Sequence, residues 1–283
     1  MSAVAPGISV LMAVYNTPRH YLDEAIRSIL SQSYTDLELI IVDDGSNEET
    51  RSRLREYGAC DPRVRLHSLP ANIGLTRALN IGLRLARGTY VARQDADDLS
   101  HPRRLEETCR FMELHPELAA AGTDAVLIGP TGHPFGVMKI DPGLSELRRR
   151  NILVHGTMMF RREVFAILQG YDERMRLSQD YELYLRMIRK HDLLLGVVSE
   201  PLYSLRQHSG SLSSRKMLQQ LYYSVLAKAL TLPGNVPKWR RDMFLAMELF
   251  VDFVITHRLL LGPVVRRVLS SRQLAGTLEQ TKQ

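Results

Sequence analysis

Two spacings of apolar residues alternate along the first hundred positions. Ile8-Ser9-Val10-Leu11-Met12-Ala13-Val14 is almost unbroken apolar, which reads as a strand covered on both faces. Behind it, Leu22, Ala25, Ile26, Ile29 and Leu30 recur at helical spacing. That stripe predicts a helix starting near Pro18, because proline is tolerated in a first helical turn. Leu37 to Val42 repeats the strand pattern and ends in Asp43-Asp44-Gly45-Ser46. Ser46-Asn47-Glu48-Glu49 has the spacing of a capping box and predicts a second helix to about Tyr57. Val64 to His67 reads as a third strand, Leu75 to Ala86 as a third helix, and Thr89 to Ala92 as a fourth strand.

Strictly alternating strands and helices predict an α/β domain whose sheet is mostly parallel, with helices on both faces. In such sheets ligands bind beyond the carboxyl ends of the strands. Three polar clusters fall at those ends: Tyr15-Asn16, Asp43-Asp44 and Asp95-Ala96-Asp97-Asp98.

The second half is less regular. A helix is predicted from about Pro102 to Leu114. Leu118 to Ile128 and Phe135 to Ile140 flank Pro130-Thr131-Gly132-His133 as a hairpin. Leu144 to Arg150 reads as helical, Gly156 to Phe160 as extended and Gln179 to Lys190 as helical. Leu194 to Val198 and Leu202 to Leu205 read as two late strands. Beyond Ser214 the pattern is helical, interrupted at Leu232 to Pro237. Residues 1–100 and 101–212 therefore read as two halves of one domain, and residues 213–283 as a helical extension.

Composition narrows the class. With 283 residues, 45% hydrophobic and 24% charged, the chain can bury a core without a disulfide framework. Cys60 and Cys109 stand far apart, outside any CxxC pattern, which suits a reducing compartment. Met1 to Gly7 lacks the basic segment of a signal peptide. No apolar run approaches the roughly 20 residues that span a bilayer. These features predict a cytoplasmic protein.

The net charge of +6 is uneven, because residues 215–283 carry eleven Lys/Arg against four Asp/Glu. The main domain is thus near neutral, which argues against nucleic acid as a partner. The tail, with Trp239, Arg240, Arg241, the run Met243 to Ile255, then Arg258, Arg266, Arg267 and Arg272, admits two readings. It is either helices packed on the domain or on a second subunit, or a peripheral contact with anionic lipid at the inner face of the plasma membrane.

The acidic cluster carries the most chemistry. Carboxylates packed at a strand end repel one another and ionise together most easily beside a cation. Hard oxygen donors suit Mg²⁺ or Mn²⁺, which also bridge phosphates. The competing reading is a solvated acidic turn. Asp44 can accept from ribose hydroxyls or a base N–H, or it can serve a helix start. Asp180, at a predicted helix N-terminus, suits either a general base or the helix dipole. His155, His208 and Arg77 point nowhere by themselves.

Together, Ile8 to Asn16, Asp43-Asp44-Gly45-Ser46, Asn72-Ile73-Gly74-Leu75, Arg77-Ala78-Leu79-Asn80 and Asp95-Ala96-Asp97-Asp98 resemble, in order, a family 2 glycosyltransferase with the GT-A fold, over about residues 7–210. The resemblance implies a Rossmann-like sheet and inverting transfer from a nucleoside-diphosphate sugar, usually UDP-linked, to a saccharide or lipid-linked saccharide. It implies that Tyr15 contacts the base, Asp44 the uracil and Asp95 the ribose, with Arg77 near the nucleotide. Asp97 would hold a Mn²⁺ or Mg²⁺ ion, with Asp98 in the donor site as the second candidate to share that ion. The family's Glu-Asp pair at a helix start corresponds to Gln179-Asp180, leaving Asp180 as base. Leu205-Arg206-Gln207-His208 resembles the late Arg-x-His segment, which places His208 near the metal. Asn151 to Arg162, with His155, resembles a segment on the acceptor side. The alternatives are a sugar nucleotidyltransferase, which the lack of a glycine-rich loop after the first strand disfavours, and a non-catalytic binder of nucleotide sugars. A receiver-like signalling module would fit in about half this length.

Overall fold

The computed structural model describes residues 5–141, 144–208 and 217–232, together with Pro237, Met243 and Ala246. The chain divides into two units, Met1–Thr231 and Leu232–Gln283. The tail features from Trp239 to Arg272, Met243 and Ala246 aside, lie outside the described residues.

The first half follows the predicted alternation: β1 Ile8–Val14, α1 Arg19–Leu30, β2 Leu37–Asp43, α2 Glu48–Cys60, β3 Val64–Ser68, α3 Leu75–Leu85 and β4 Tyr90–Arg93. The second half comprises β5 Leu99–Ser100, α4 Arg104–Leu114, β6 Leu118–Ile128, β7 Pro134–Met138, α5 Leu144–Arg149, a 3₁₀ turn His155–Thr157, β8 Met159–Arg161, α6 Arg162–Leu168, α7 Gln179–Lys190, β9 Leu194–Arg206 and α8 Met217–Leu230.

Among the described residues these strands form one nine-stranded sheet in the order β3-β2-β1-β4-β8-β6-β9-β5, with β7 on β6. β3, β2, β1 and β4 are mutually parallel. β8 enters antiparallel to both β4 and β6, and β6 runs parallel to β9. The α/β class and the parallel nucleus are as the alternation predicts.

Side chains on successive residues of a strand point to opposite faces, and β1 feeds two cores. Ile8, Val10, Met12 and Val14 pack with Leu22, Ile26 and Ile29 of α1 and Leu105 of α4. Leu11 packs with Ala78 and Leu79 of α3 on the other face. Burying each such Leu, Ile or Val contributes roughly 1.5–3 kcal/mol, so the two faces together fix the strand register from which the loops spring.

Local departures from the sequence reading have identifiable causes. The N-cap of α2 is Asn47, whose side chain accepts from Thr50 N–H at 2.9 Å. Ser46 is engaged elsewhere, its hydroxyl accepting from Asn16 N–H at 3.1 Å. The two late strands are one, β9, with Pro201 at a register shift opposite Asp124. Residues 155–157 turn before β8 begins, and α6 has no counterpart in the predicted elements.

Candidate active site

β1, β2 and β4 end on the same edge of the sheet, with Val14 beside Asp43 and Leu11 beside Arg93. β2 and β4 flank β1, so their ends stand two strand spacings apart, about 10 Å. Tyr15, Asp44 and the turn Asp95–Asp98 are therefore brought to one edge. Tyr15 is 52% exposed at its lip.

Asp44 is buried and holds a neighbouring loop. Its Oδ1 accepts from Ile73 N–H at 2.7 Å, and its Oδ2 from Gly74 N–H and Asn72 Nδ2, each at 3.0 Å. Burial pushes its carboxyl above the usual range, against the pull of those backbone N–H groups. Gly45 permits the approach: its φ is +71°, and a Cβ there would lie 2.4 Å from the carbonyl carbon of Ala71. Arg77 is exposed on α3, and its Nε meets Glu173 Oε2 at 3.3 Å.

The acidic turn is braced from below. Gln94 is buried, and its Nε2 donates to the carbonyls of Asp95 and Asp98 at 3.1 and 3.0 Å. The fully buried Arg93 donates to Leu11 O and to Asp95 Oδ1. Burial raises Asp95's proton affinity, Arg93 opposes this, and the charge of Asp97 adds to it. Asp98 turns inward at 2% exposure. Its Oδ2 accepts from Tyr203 O–H at 2.9 Å and its Oδ1 from Arg206 N–H at 2.6 Å. Burial holds Asp98 well above the ordinary carboxylate range, with Asp97 and Asp95 adding to the shift. This carboxylate ties the turn to β9, whereas Asp97 is half-buried and faces His208, with Oδ2 and Nε2 3.0 Å apart. Arg206 braces the same corner by donating to Asp97 O at 2.8 Å and Pro130 O at 3.0 Å.

On the other side stands α7. Thr76 and Asn80, one turn apart on α3, hold the loop leading into it. Thr76 donates to Met175 O at 2.5 Å, and Asn80 exchanges two bonds with the Tyr171 backbone. Asp180 opens the helix, half-buried, with Oδ2 accepting from Asn151 Nδ2 at 2.8 Å. Burial raises its proton affinity. The Tyr181 N–H and the Asn151 amide oppose that rise, and Asp95's negative charge adds to it.

The 3₁₀ turn packs against the acidic turn on one side and against Tyr171 and Tyr184 on the other. Gly156 sits against Asp95, since a Cβ there would be 3.0 Å from Asp95 Oδ2 and 2.1 Å from the Tyr203 hydroxyl. His155 packs on Tyr171 and Tyr184, with Nε2 2.8 Å from the Tyr171 hydroxyl. Burial and the Arg93 charge hold its pKa well below the usual histidine value.

The structure thus gathers Tyr15, Asp44, Asp95, Asp97 and His208 along one edge and places Asp180 at the start of α7, within electrostatic reach of Asp95. Arg77 is turned toward the loop before α7. The sequence reading missed Arg93, Gln94 and Tyr203, and it named Asn151 only as the start of the acceptor-side segment, with no bond to Asp180. A charged residue inside the buried run Tyr90 to Gln94 was the one available signal, because a buried arginine needs partners.

Among the described residues no three His, Cys, Asp or Glu side chains form a complete metal cage. Asp97 and His208 instead converge as two donors, with Asp95 in the same turn. That set fits a hard divalent cation that takes its remaining oxygens from substrate phosphates. It does not fit a closed structural site.

A family model described as Glycosyl transferase family 2 matches residues 9–168, more than half of the chain. The chain is 36% identical over 229 residues to the putative glycosyltransferase EpsE of Bacillus subtilis, spanning 78% of this chain and 80% of that protein. It is 35% identical over 211 residues to the O-antigen biosynthesis glycosyltransferase WbnJ of Escherichia coli, spanning 72% and 81%. In fold it is similar to S. aureus TarS in complex with UDP-GlcNAc, with a TM-score of 0.65 and 19% identity over 86% of this chain and 71% of that one. It is likewise similar to the mannosyltransferase PcManGT of Pyrobaculum calidifontis in complex with GDP-Man and Mn²⁺, with a TM-score of 0.65 and 20% identity over 96% and 81%.

Proposed function

We propose, on the premise that the chain belongs to glycosyl transferase family 2, that this glycosyltransferase moves a sugar from a nucleoside-diphosphate donor to an acceptor hydroxyl with inversion. The acceptor is a saccharide or lipid-linked saccharide of a cell-surface polysaccharide. One observation carries the reading. Asp97 Oδ2 and His208 Nε2 converge at 3.0 Å on the edge where Tyr15, Asp44 and Asp95 stand at the ends of β1, β2 and β4.

Tyr15 and the loop that Asp44 fastens receive the base, and Asp95 the ribose. UDP is the donor nucleotide we favour; Asp44 Oδ1 retains a lone pair suited to the imide N–H that uracil shares with thymine, so the panel below distinguishes the two. Arg77 reaches the diphosphate by leaving Glu173, a surface pair worth only about 0–1 kcal/mol. Asp97 and His208 would hold Mn²⁺ or Mg²⁺, which would offset negative charge on the departing diphosphate.

Asp180 accepts the proton of the acceptor hydroxyl as its oxygen attacks the anomeric carbon from the face opposite the leaving group. Asp98 serves the site by fixing β9, and so His208, to the turn.

A panel of UDP-, GDP- and dTDP-sugars, titrated with and without Mn²⁺, tests the reading. Binding of one donor, lost in Asp97→Asn, together with turnover reduced by orders of magnitude in Asp180→Asn while donor binding persists, is the expected pattern. No binding across the panel, or wild-type turnover in Asp180→Asn, overturns it.

A further inference from the structure

We infer that Asn151 is a positioning residue that holds Asp180 in its ionised form and aims it into the cleft. The inference rests on the reading of Asp180 as base and adds the group that prepares it.

A carboxamide can face a carboxyl group in two ways. Its N–H can donate to a carboxylate, or its carbonyl can accept from a carboxylic acid. Here the choice is fixed. Asn151 Oδ1 accepts from the Leu153 N–H at 3.2 Å, so Nδ2 is the end that meets Asp180 Oδ2 at 2.8 Å. The amide is thereby oriented by its own hydrogen-bond network. Presented this way, it bonds well to the carboxylate and poorly to the protonated acid.

The segment carrying Asn151 is itself clamped along α7. Leu147 is buried in the core, and the carbonyl of Arg148 accepts from Arg189 Nη2 at 3.0 Å. Arg189 is nine residues beyond Asp180 on α7, so the segment touches the helix at both ends. Asn151 itself is exposed, and its replacement leaves the core intact.

The surroundings explain why such a donor matters. Asp180 lies within electrostatic reach of Asp95 in the β4 turn, Tyr171 in the preceding loop and Tyr184 on the next turn of α7. His155 packs behind both tyrosines, and Arg93 lies buried beside them. Burial and Asp95 both favour a proton on Asp180. The opposing donors are the Tyr181 N–H, the Asn151 amide and Asp180's own N–H. Asn151 is the one of these that a side-chain substitution can remove.

The decisive experiment follows the Asp180 carboxyl by ¹³C NMR across pH in the full chain, with its signal assigned by loss in Asp180→Asn. Asn151→Ala should raise the titration midpoint by about 0.5–1 pH unit. Asn151→Asp should raise it further, because a second carboxylate then faces the first. The acid limb of donor hydrolysis, measured with whichever nucleotide sugar binds in the panel above, should move the same way while nucleotide affinity stays within twofold. A midpoint unchanged in both variants overturns the proposal. Wild-type hydrolysis by Asp180→Asn would instead remove the base assignment, an outcome the NMR midpoints report separately.

Discussion

The hydroxyl of Tyr203 on β9 donates to Asp98 Oδ2 at 2.9 Å and accepts from the backbone N–H of Asp95 at 3.2 Å. One phenol therefore fixes both ends of the acidic turn, and does so from a strand more than a hundred residues away. Removing it leaves a buried carboxylate short of a donor, a loss of about 1–3 kcal/mol. Tyr203→Phe should show this as a lower urea midpoint with an unchanged slope. The same variant should weaken donor binding, since Asp95 and Asp97 ride on the turn. A midpoint equal to wild type would mean that Arg206 and Gln94 suffice to hold it.

Asp44 offers a sharper contrast between recognition and architecture. Its three bonds to Asn72, Ile73 and Gly74 make it the fastener of a loop as well as a group that meets the base. Asp44→Ala leaves the Ile73 and Gly74 N–H groups without their acceptor and should cost about 1–3 kcal/mol of stability. Asp44→Asn keeps one accepting oxygen and should fall between. Both should weaken UDP binding in calorimetry. If Asp44→Ala loses affinity with stability intact, the side chain serves the nucleotide alone.

What the sequence made legible, and what it hid, follows from the range of the interactions. β1 through β4 were readable because their signal is periodic and local, and Leu22, Ile26 and Ile29 bury as that period predicts. The edge that gathers Tyr15, Asp44 and Asp95 followed from topology alone. The N-cap of α2 was misplaced by one residue, because Ser46 and Asn47 both suit the role. The choice is made by Asn16, thirty residues earlier in the chain, which takes the Ser46 hydroxyl. Tyr203, Arg93 and the bond of Asn151 to Asp180 escaped for the same reason: each acts through a partner that no spacing rule connects to it. Asp98 looked like its neighbours in the sequence, and only burial against β9 separates it from Asp97.

His155 predicts an acid-side loss of stability. Its folded pKa lies well below the unfolded value of about 6.5. The native state therefore binds fewer protons than the unfolded chain once pH falls below that value. The stabilisation is fully present above about pH 6.5 and declines below it, by up to about 1.4 kcal/mol per pH unit. Chemical denaturation of wild type and His155→Gln at pH 7 and pH 5.5 checks this. The variant should be less stable at pH 7 and should lose less on acidification. Parallel losses in the two proteins would show that His155 is not the group responsible.

The boundary of the first unit gives the last test. α8 follows residues 209–216 and packs on α7, the helix that carries Asp180. Ser178, at the start of α7 with φ of +53°, donates its hydroxyl to Gln220 O at 3.2 Å and lies 3.1 Å from Ser224 Oγ. At the other end of α7, Arg189 Nη1 donates to Lys228 O at 3.1 Å and Thr231 Oγ1 at 3.2 Å. Val225, Ala227 and Thr231 are essentially fully buried. A chain ending at Ser214 strips all of this from α7. Burial of Val225 alone is worth roughly 1.5–3 kcal/mol, and each kcal/mol shifts Tm by about 2–4 °C at this size. That truncation should melt at least about 3 °C lower and bind donor poorly. A chain ending at Leu232 keeps every contact named here and should melt within about 2 °C of the full chain. Flotation of these last two with phosphatidylglycerol vesicles then isolates residues 233–283. Vesicle binding by the full chain alone would assign the basic tail to a lipid surface, and equal flotation would remove that assignment. Equal melting of the Ser214 and Leu232 chains would show that α8 is dispensable to the helix it covers.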